Sequence, residues 1–311
     1  MERRKLFKTI LAVVICFGII MLLGASAFGG DDSPTIKKRA IVGTFVDKSD
    51  HSWYRGNNPG EGMADMLITA LVKSGKFKVY ERAALDEILA EKNLSVSDLA
   101  NDGVEAGKKL EIGDVLVKGT ITEFGYKEKK IGGSIASGLL KKAAVKQYTA
   151  RVGVDLRIIS VGTSEVLWAD NLAETKTSTS IGISTDKFSF GDQNTFDEHI
   201  VGQATRNVID NIVKKIEQIT KDMKWTGILI VADEFYFIDA GSEIGIKPGM
   251  EFDVKRERKK VTHPKTGKIL KIIYDEVGVV KATEVEEGVT TVEAVSGTGF
   301  QDADYVVFKE K

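Results

Sequence analysis

Apolar and polar positions alternate along this chain with two different periods, and the period in force changes several times. Arg39 to Asp47 (RAIVGTFVD) is a nearly continuous apolar run of strand length, which predicts a buried first strand. His51 to Gly62 (HSWYRGNNPGEG) is glycine-, asparagine- and proline-rich loop material. Met63, Met66, Leu67, Ala70 and Leu71 then share one side of a predicted helix over 63–74 that stops at Gly75. Phe77 to Glu81 alternates as a half-buried strand, and Leu85, Ile88 and Leu89 return to helical spacing within 83–94. A weaker helix follows over 98–110, where Gly103 and Gly107 lower the propensity.

Beyond that point strands dominate. Val115, Val117, Gly119 and Ile121 alternate, as do Val152, Val154, Leu156 and Ile158, with Arg151, Asp155 and Arg157 facing outward between them. Val166 to Leu172 gives a further strand, after a turn at Gly162-Thr163-Ser164. Phe196, Ile200, Ala204, Val208, Ile212, Ile216 and Ile219 recur every three or four residues, so one helix is expected over 195–220. From Trp225 the pattern changes to short β-rich runs with glycine-containing turns, at 228–231, 234–238, 250–256, 269–274, 277–284 and 290–295. Such spacing predicts a small barrel, with Pro248-Gly249 turning the chain into the alternating Met250, Phe252 and Val254.

The N-terminus follows a different logic. Met1 to Lys8 carries Arg3, Arg4, Lys5 and Lys8, residues 9–23 are almost wholly apolar, and Ala25-Ser26-Ala27 supplies the small residues of a cleavage site. Residues 1–27 therefore read as an export signal, with Ala25 and Ala27 marking the cut and the mature chain starting near Phe28. The alternative is an uncleaved anchor, since roughly 15 to 20 apolar residues just reach across a bilayer. Leu23-Gly24-Ala25-Ser26 has the outline of a bacterial lipoprotein box, with serine where the lipid-bearing cysteine belongs. The sole cysteine, Cys16, lies inside the apolar segment, so the mature chain has none to acylate or to pair.

Composition narrows the function classes. The 311 residues are 42% hydrophobic and 29% charged, too polar for a protein of many membrane helices. Lys+Arg 44 against Asp+Glu 45 gives a formal charge of -1, which advertises no nucleic acid partner. Loss of residues 1–27, with four cations against Glu2, takes the charge from -1 to -4. His51, His199 and His263 are too far apart in sequence for a local metal motif, so no metal and no cofactor is expected.

Catalytic patterns are equally sparse. Gly103 to Lys108 ends like a phosphate loop, yet it lacks the required spacing and Lys109 follows where a hydroxyl belongs. Gly56, Gly60 and Gly62 precede the first predicted helix, whose N-terminus could hold an anion, although glycine-rich entry loops commonly hold none. Acidic pairs such as Glu81 with Asp86 lie in polar stretches where a solvated face is the simpler reading. A hydrolase would require a pocket gathering His199 with a carboxylate and a hydroxyl.

Residues 66–93 (MLITALVKSGKFKVYERAALDEILAEKN), with Asp114 to Phe124 (DVLVKGTITEF), Tyr148 to Val161 (YTARVGVDLRIISV) and Thr163 to Leu167 (TSEVL), resemble in order the blocks of the curli production assembly/transport (CsgG) family. The resemblance covers about residues 39–220. It implies a periplasmic α/β core from which hairpins 126–149 and 173–195 extend, and in channel-forming members such hairpins join those of neighbouring copies into an outer-membrane barrel. A single hairpin cannot leave its edges open in lipid, so a pore requires an oligomer. From about residue 227, and above all in Gly241 to Val254 (GSEIGIKPGMEFDV), the chain is similar to the SH3-like barrel of flagellar assembly protein T.

Three departures accompany the resemblance. The lipid-bearing cysteine is absent. The loop that forms the constriction in channel members corresponds here to 51–62, whose candidate residues are Trp53, Tyr54, Asn57 and Asn58. The first hairpin is crowded by Lys127, Lys129, Lys130, Lys141, Lys142 and Lys146, while Ile131, Ile135, Leu139 and Ala143 recur at helical spacing, so 126–149 reads as a helix or loop. The second segment offers Ile181, Ile183, Phe188 and Phe190 as two short alternating runs for a membrane or a partner.

The expected fold is thus an α/β (α+β) core over 39–222, a mixed sheet with packed helices and projecting hairpins, preceded by linker 28–38 and followed by a small all-β SH3-like barrel over 225–311. The expected function is non-enzymatic: an exported, periplasmic or outer-membrane-associated subunit of an envelope assembly or secretion complex, homo-oligomeric if it forms a channel. Its partners would be copies of itself and envelope or secreted proteins, with outer-membrane contact through the hairpins. The alternative is a soluble periplasmic binding or regulatory module without pore activity.

Overall fold

The apolar run at 38–47 becomes an interior strand of a five-stranded mixed sheet. A computed structural model describes residues 36–50, 58–81, 114–131, 145–161, 164–179, 190, 193–262, 264–265 and 269–309. Strand β1 (Lys38–Asp47) leads to helix α1 (Pro59–Lys73) and strand β2 (Phe77–Glu81), and β1 pairs with β2 in parallel. Strand β3 (Val115–Ile131) lies parallel to the other side of β1, and β4 (Val145–Ser160) and β5 (Val166–Ser178) follow antiparallel, giving the order β2-β1-β3-β4-β5.

One face of this sheet is apolar, by an alternation that register shifts reset between Val42 and Phe45 and between Ile121 and Glu123. Val42 and Phe45, Val117 and Ile121, and Val152, Val154 and Leu156 are buried against Met63, Leu67 and Leu71 of α1 and against Val208, Ile212 and Ile216 of helix α3 (Ile200–Thr220). Each large aliphatic side chain buried in this way contributes about 1.5 to 3 kcal/mol.

Helix α1 begins earlier than its spacing predicts. The Asn58 side chain caps it by accepting from the Gly60 N–H, and Pro59 occupies the first turn, where a missing donor costs nothing. Gly60 and Gly62 are therefore helical, not loop. A Cβ on Gly60 would lie 2.0 Å from the Phe45 carbonyl oxygen, and one on Gly62 would lie 2.3 Å from the Phe190 ring. Glycine here permits close packing rather than a turn.

The single helix expected over 195–220 is broken into α2 (Gln193–Glu198) and α3. His199 between them is extended, and its Nδ1 accepts from the Val201 N–H at 3.2 Å, so the imidazole serves as N-cap of α3. The corner is tight: a Cβ on Gly202 would sit 1.8 Å from the Phe196 carbonyl oxygen.

The reading of 126–149 as helix or loop is corrected at both ends. Strand β3 continues to Ile131 and β4 starts at Val145, paired without interruption from Gly125↔Arg151 to Ile131↔Val145. At Ile131 a backbone ladder already in register with β4 sets the extended conformation. Residues 132–144 lie outside the described residues, as do the helices expected at 83–94 and 98–110.

The remaining strands, β6 (Thr226–Ala232), β7 (Phe235–Ile238), β8 (Glu251–Thr262), β9 (Ile269–Val285), β10 (Thr290–Gly297) and β11 (Tyr305–Phe308), close an all-antiparallel barrel in the order β10-β7-β6-β11-β8-β9. The two strands expected at 269–274 and 277–284 are one, and β11 has no counterpart in the expected set. Phe252 and Val254 alternate into a second core with Trp225, Leu229, Ile238, Val280 and Val306. Gly245 (φ 94°) and Gly249 (φ 88°) supply the left-handed turns before β8.

Both cores lie within one compact unit, Ile36–Lys311. Ile36 itself is buried in the barrel core, one residue before Lys37, whose N–H donates to the Ile244 carbonyl at 2.8 Å. The Lys38 amine donates to the Met223 carbonyl, and Lys78 pairs with Glu243 at 3.6 Å.

Candidate functional site

The end of the sheet at which β3 and β5 finish and β4 begins is the most unusual part of the described structure. Three strands reach that end together, so the connections 132–144 and 180–189 both leave from it. Its floor is aromatic. Phe124 stacks on Phe190 with centroids 5.9 Å apart, Phe190 meets Phe196 at 5.0 Å, and Tyr126 lies 6.3 Å from Tyr148 on the neighbouring strand. The edge of His199 meets Tyr126 at 5.8 Å.

Past Tyr126 and Tyr148 the two strands run on without apolar cover. Lys127, Glu128, Lys129, Lys130 and Ile131 are all exposed. Lys146 pairs across the strands with Glu128 at 3.1 Å, and that hydrogen bond holds the Lys146 amine above the usual lysine range. Nearer the core Arg151 of β4 pairs with Glu123 of β3. Such exposed pairs contribute little stability and chiefly fix the register of the arm.

A groove of about 780 Å³ opens beside this floor between α1 and α3. Glu61 and Asp65 come from α1, Arg206 and Asp210 from α3, and Phe190, Phe196, Met66 and Ile209 supply its apolar lining. Arg206 is held by Asp197 and lies over the Phe196 ring at 5.5 Å. His199 is buried, which pushes its pKa below the usual imidazole value, and its neutral ring is the form that caps α3. Among the described residues no group of three or more histidine, cysteine, aspartate or glutamate side chains is placed to hold a metal ion.

Of the candidate constriction-loop, second-hairpin and cleavage residues, two fall in the described structure. Asn58 caps α1, and Phe190, partly buried, joins Phe124 and Phe196 beneath Gly62. The structure does not bring these two into one cluster of hydrogen-bonding or ring contacts. Trp53, Tyr54, Asn57, Ile181, Ile183, Phe188, Ala25 and Ala27 lie outside the described residues. Sequence reasoning missed Phe124, Tyr126 and Tyr148 as a shared floor. Their rings come from strands whose partners are fixed only by the fold, and the one available signal was aromatic residues ending each strand.

No curated protein matches the chain. Among solved structures it is similar to the hypothetical protein CT253 from Chlamydia trachomatis, at 12% identity over 59% of this chain and 97% of that one, with a TM-score of 0.38. It is similar also to protein XCC0632 from Xanthomonas campestris (11% identity, 62% of this chain and 90% of that one, TM-score 0.37). A third is the PelC dodecamer from Paraburkholderia phytofirmans (12%, 58% and 92%, TM-score 0.29).

The family model described as "Curli production assembly/transport component CsgG" matches residues 26–242, well over half of the 311, and runs past residue 225 through β6 and β7. On that match the chain belongs to the CsgG family of envelope-associated assembly and transport components.

Proposed function

We propose that this protein is a non-enzymatic, exported subunit of a cell-envelope assembly or secretion complex, which works by associating with copies of itself. The observation that supports this reading most directly is the common departure of segments 132–144 and 180–189 from three registered strands at one end of the sheet. Strands β3, β4 and β5 thus bring the starts of both segments to one end of the sheet, where a neighbouring copy could meet them. Strand β5, thirteen residues long, forms the sheet edge, with β4 its only strand partner among the described residues. An exposed edge of that length invites pairing, and a closed ring of copies removes it.

The competing reading is a soluble periplasmic binding or regulatory module without pore activity. The charge on the arm favours it: Lys127, Lys129 and Lys130 are exposed on a strand that would have to cross lipid, where lysine at the midplane costs about 2 to 4 kcal/mol. In a pore these side chains face the water-filled lumen or the rim.

One preparation separates the two. The chain from residue 28, purified without detergent and then with it, is weighed by light scattering and applied to planar bilayers. The transport reading expects a defined oligomer and discrete conductance steps. A monomer in both conditions with silent bilayers selects the binding module. The SH3-like character of the barrel and its role as a partner-binding module belong to this proposal as well, supported by the turn at 244–250 and the closed antiparallel barrel around it.

A further inference from the structure

The barrel carries its own projection. Strands β8 and β9 remain paired through Glu257↔Tyr274, Lys259↔Ile273, Lys260↔Ile272, Val261↔Lys271 and Thr262↔Ile269. Their other neighbours stop short, β11 at Lys255 and β10 at Gly278, so among the described residues a two-stranded ribbon stands out with both edges unpaired.

Its charge is sorted along its length. The acids are at the base, where Glu257 pairs with Lys260 at 3.5 Å, Asp275 with Arg258 at 3.3 Å and Glu276 with Lys255 at 3.8 Å. Between Arg258 and Tyr274 the sequence has no acidic residue at all. The outer part carries Arg258, Lys259, Lys260, Lys265 and Lys271 on a chain whose net charge is only -1. Lys259 and Lys271 form no ion pair with any described residue. Because residues in register share a face, Lys259, Val261, Lys271 and Ile273 lie on one side and Lys260 and Ile272 on the other. Lysine and a half-buried aliphatic side chain therefore alternate on both faces.

From this we infer that the β8–β9 ribbon docks on an anionic phospholipid surface. Lysine stems lie along apolar surface while their ammonium groups reach phosphate, and the isoleucines between them fit the boundary of headgroup and acyl chain. Nucleic acid fits less well. The ribbon has no Phe, Tyr or Trp from 258 to 273 on which a base could stack, and its cations are mostly lysine, not the planar arginine that grips phosphate in two places. The plainer role for such lysines is to guard open strand edges against aggregation.

The test uses the chain from residue 28, which retains the whole compact unit Ile36–Lys311. It is co-sedimented with vesicles of phosphatidylcholine alone and of phosphatidylcholine containing about one third phosphatidylglycerol. Binding is expected to the anionic vesicles only and to weaken as salt is raised. Lys259→Gln, Lys260→Gln and Lys271→Gln together should lower the partition coefficient on the order of 100-fold, about fivefold per lysine. Lys→Arg at the same three positions should retain it. Gln at the exposed Lys48, Lys214 and Lys221, which changes net charge equally, should leave it unaltered. Equal binding to neutral vesicles, undiminished binding by the Gln variant, or aggregation of that variant with unchanged vesicle binding would each overturn the inference, the last assigning the lysines to edge protection. Binding to duplex DNA with none to vesicles would overturn it also and give the ribbon to nucleic acid.

Discussion

Arg39 and Asp114, seventy-five positions apart, grip each other from both main chain and side chain. The Arg39 N–H donates to Asp114 Oδ2 at 2.8 Å, its guanidinium donates to Oδ1 from Nη2 at 2.8 Å and from Nε at 3.2 Å, and the Asp114 N–H donates back to the Arg39 carbonyl at 2.8 Å. The same guanidinium reaches the Thr226 carbonyl, 3.2 Å away at the first barrel strand. Both side chains are about four-fifths buried, with 18% and 19% exposure, so the pair is shielded from solvent screening. Replacing Arg39 by Ala should cost about 2 to 3 kcal/mol in denaturant unfolding, because it strands a mostly buried carboxylate. Arg39→Lys should recover little of this, since an ammonium cannot span both contacts. A change below about 0.5 kcal/mol would show that the pair is dispensable.

Gly62 and Phe190 should be energetically coupled. An added methyl at Gly62 meets the ring at 2.3 Å, so Gly62→Ala must push Phe190 off Phe124 and Phe196. The expected cost is about 1 to 3 kcal/mol in the native background. It should be distinctly smaller when Phe190 is already Ala, where the space is free. Additive effects in that double-mutant cycle would place the strain elsewhere.

Acid should weaken the α2–α3 corner. The folded-state pKa of His199 lies below the unfolded value of 6.5, and burial is the cause. Between these two values the unfolded chain binds more protons than the folded one, so stability is intact above 6.5 and is lost as pH falls toward the lower folded value. Protonation also removes the lone pair with which Nδ1 accepts from Val201. His199→Asn, which retains a capping oxygen and does not titrate, should flatten the melting-temperature profile between pH 6.5 and 5. An unchanged slope would assign the titration to another group.

The barrel has a lock of its own. Asp304, only 3% exposed, accepts from Arg256 Nε at 2.8 Å and Nη2 at 2.7 Å and from the Gln301 N–H at 2.9 Å. This hydrogen bonding keeps the guanidinium above its ordinary pKa. Asp304→Ala should cost about 3 kcal/mol, leaving a loop N–H and a guanidinium without their acceptor. Equilibrium unfolding followed by tryptophan fluorescence, to which Trp225 in the barrel core contributes with Trp53 and Trp168, provides the measurement.

Much of the architecture is written in alternation. Val117 and Ile121, Val152 to Ile158, and Met250 to Val254 fall on the faces their spacing predicts, because burial of one face of a strand constrains every second residue locally. The family resemblance is legible for the same reason, since blocks of such pattern keep their order. Less visible is whatever depends on a distant neighbour. Gly60 and Gly62 look like loop glycines until Phe45 and Phe190 arrive against them, and His199 looks like one more helical position until its ring folds back on Val201.

By itself, then, the chain's own order of residues determined the kinds of most described elements and the α/β-then-β succession, which depend on near neighbours, and it holds no local motif for metal, nucleotide or thiol chemistry. Only the tertiary structure decided that lysine-rich 127–131 and 145–149 are paired strands, that Ile36 belongs to the barrel core, and that Phe124, Tyr126, Tyr148, Phe190 and Phe196 share one floor. These depend on cross-strand register and on contacts between residues far apart in sequence. Their free energy comes from surfaces that meet only once the chain has closed on itself.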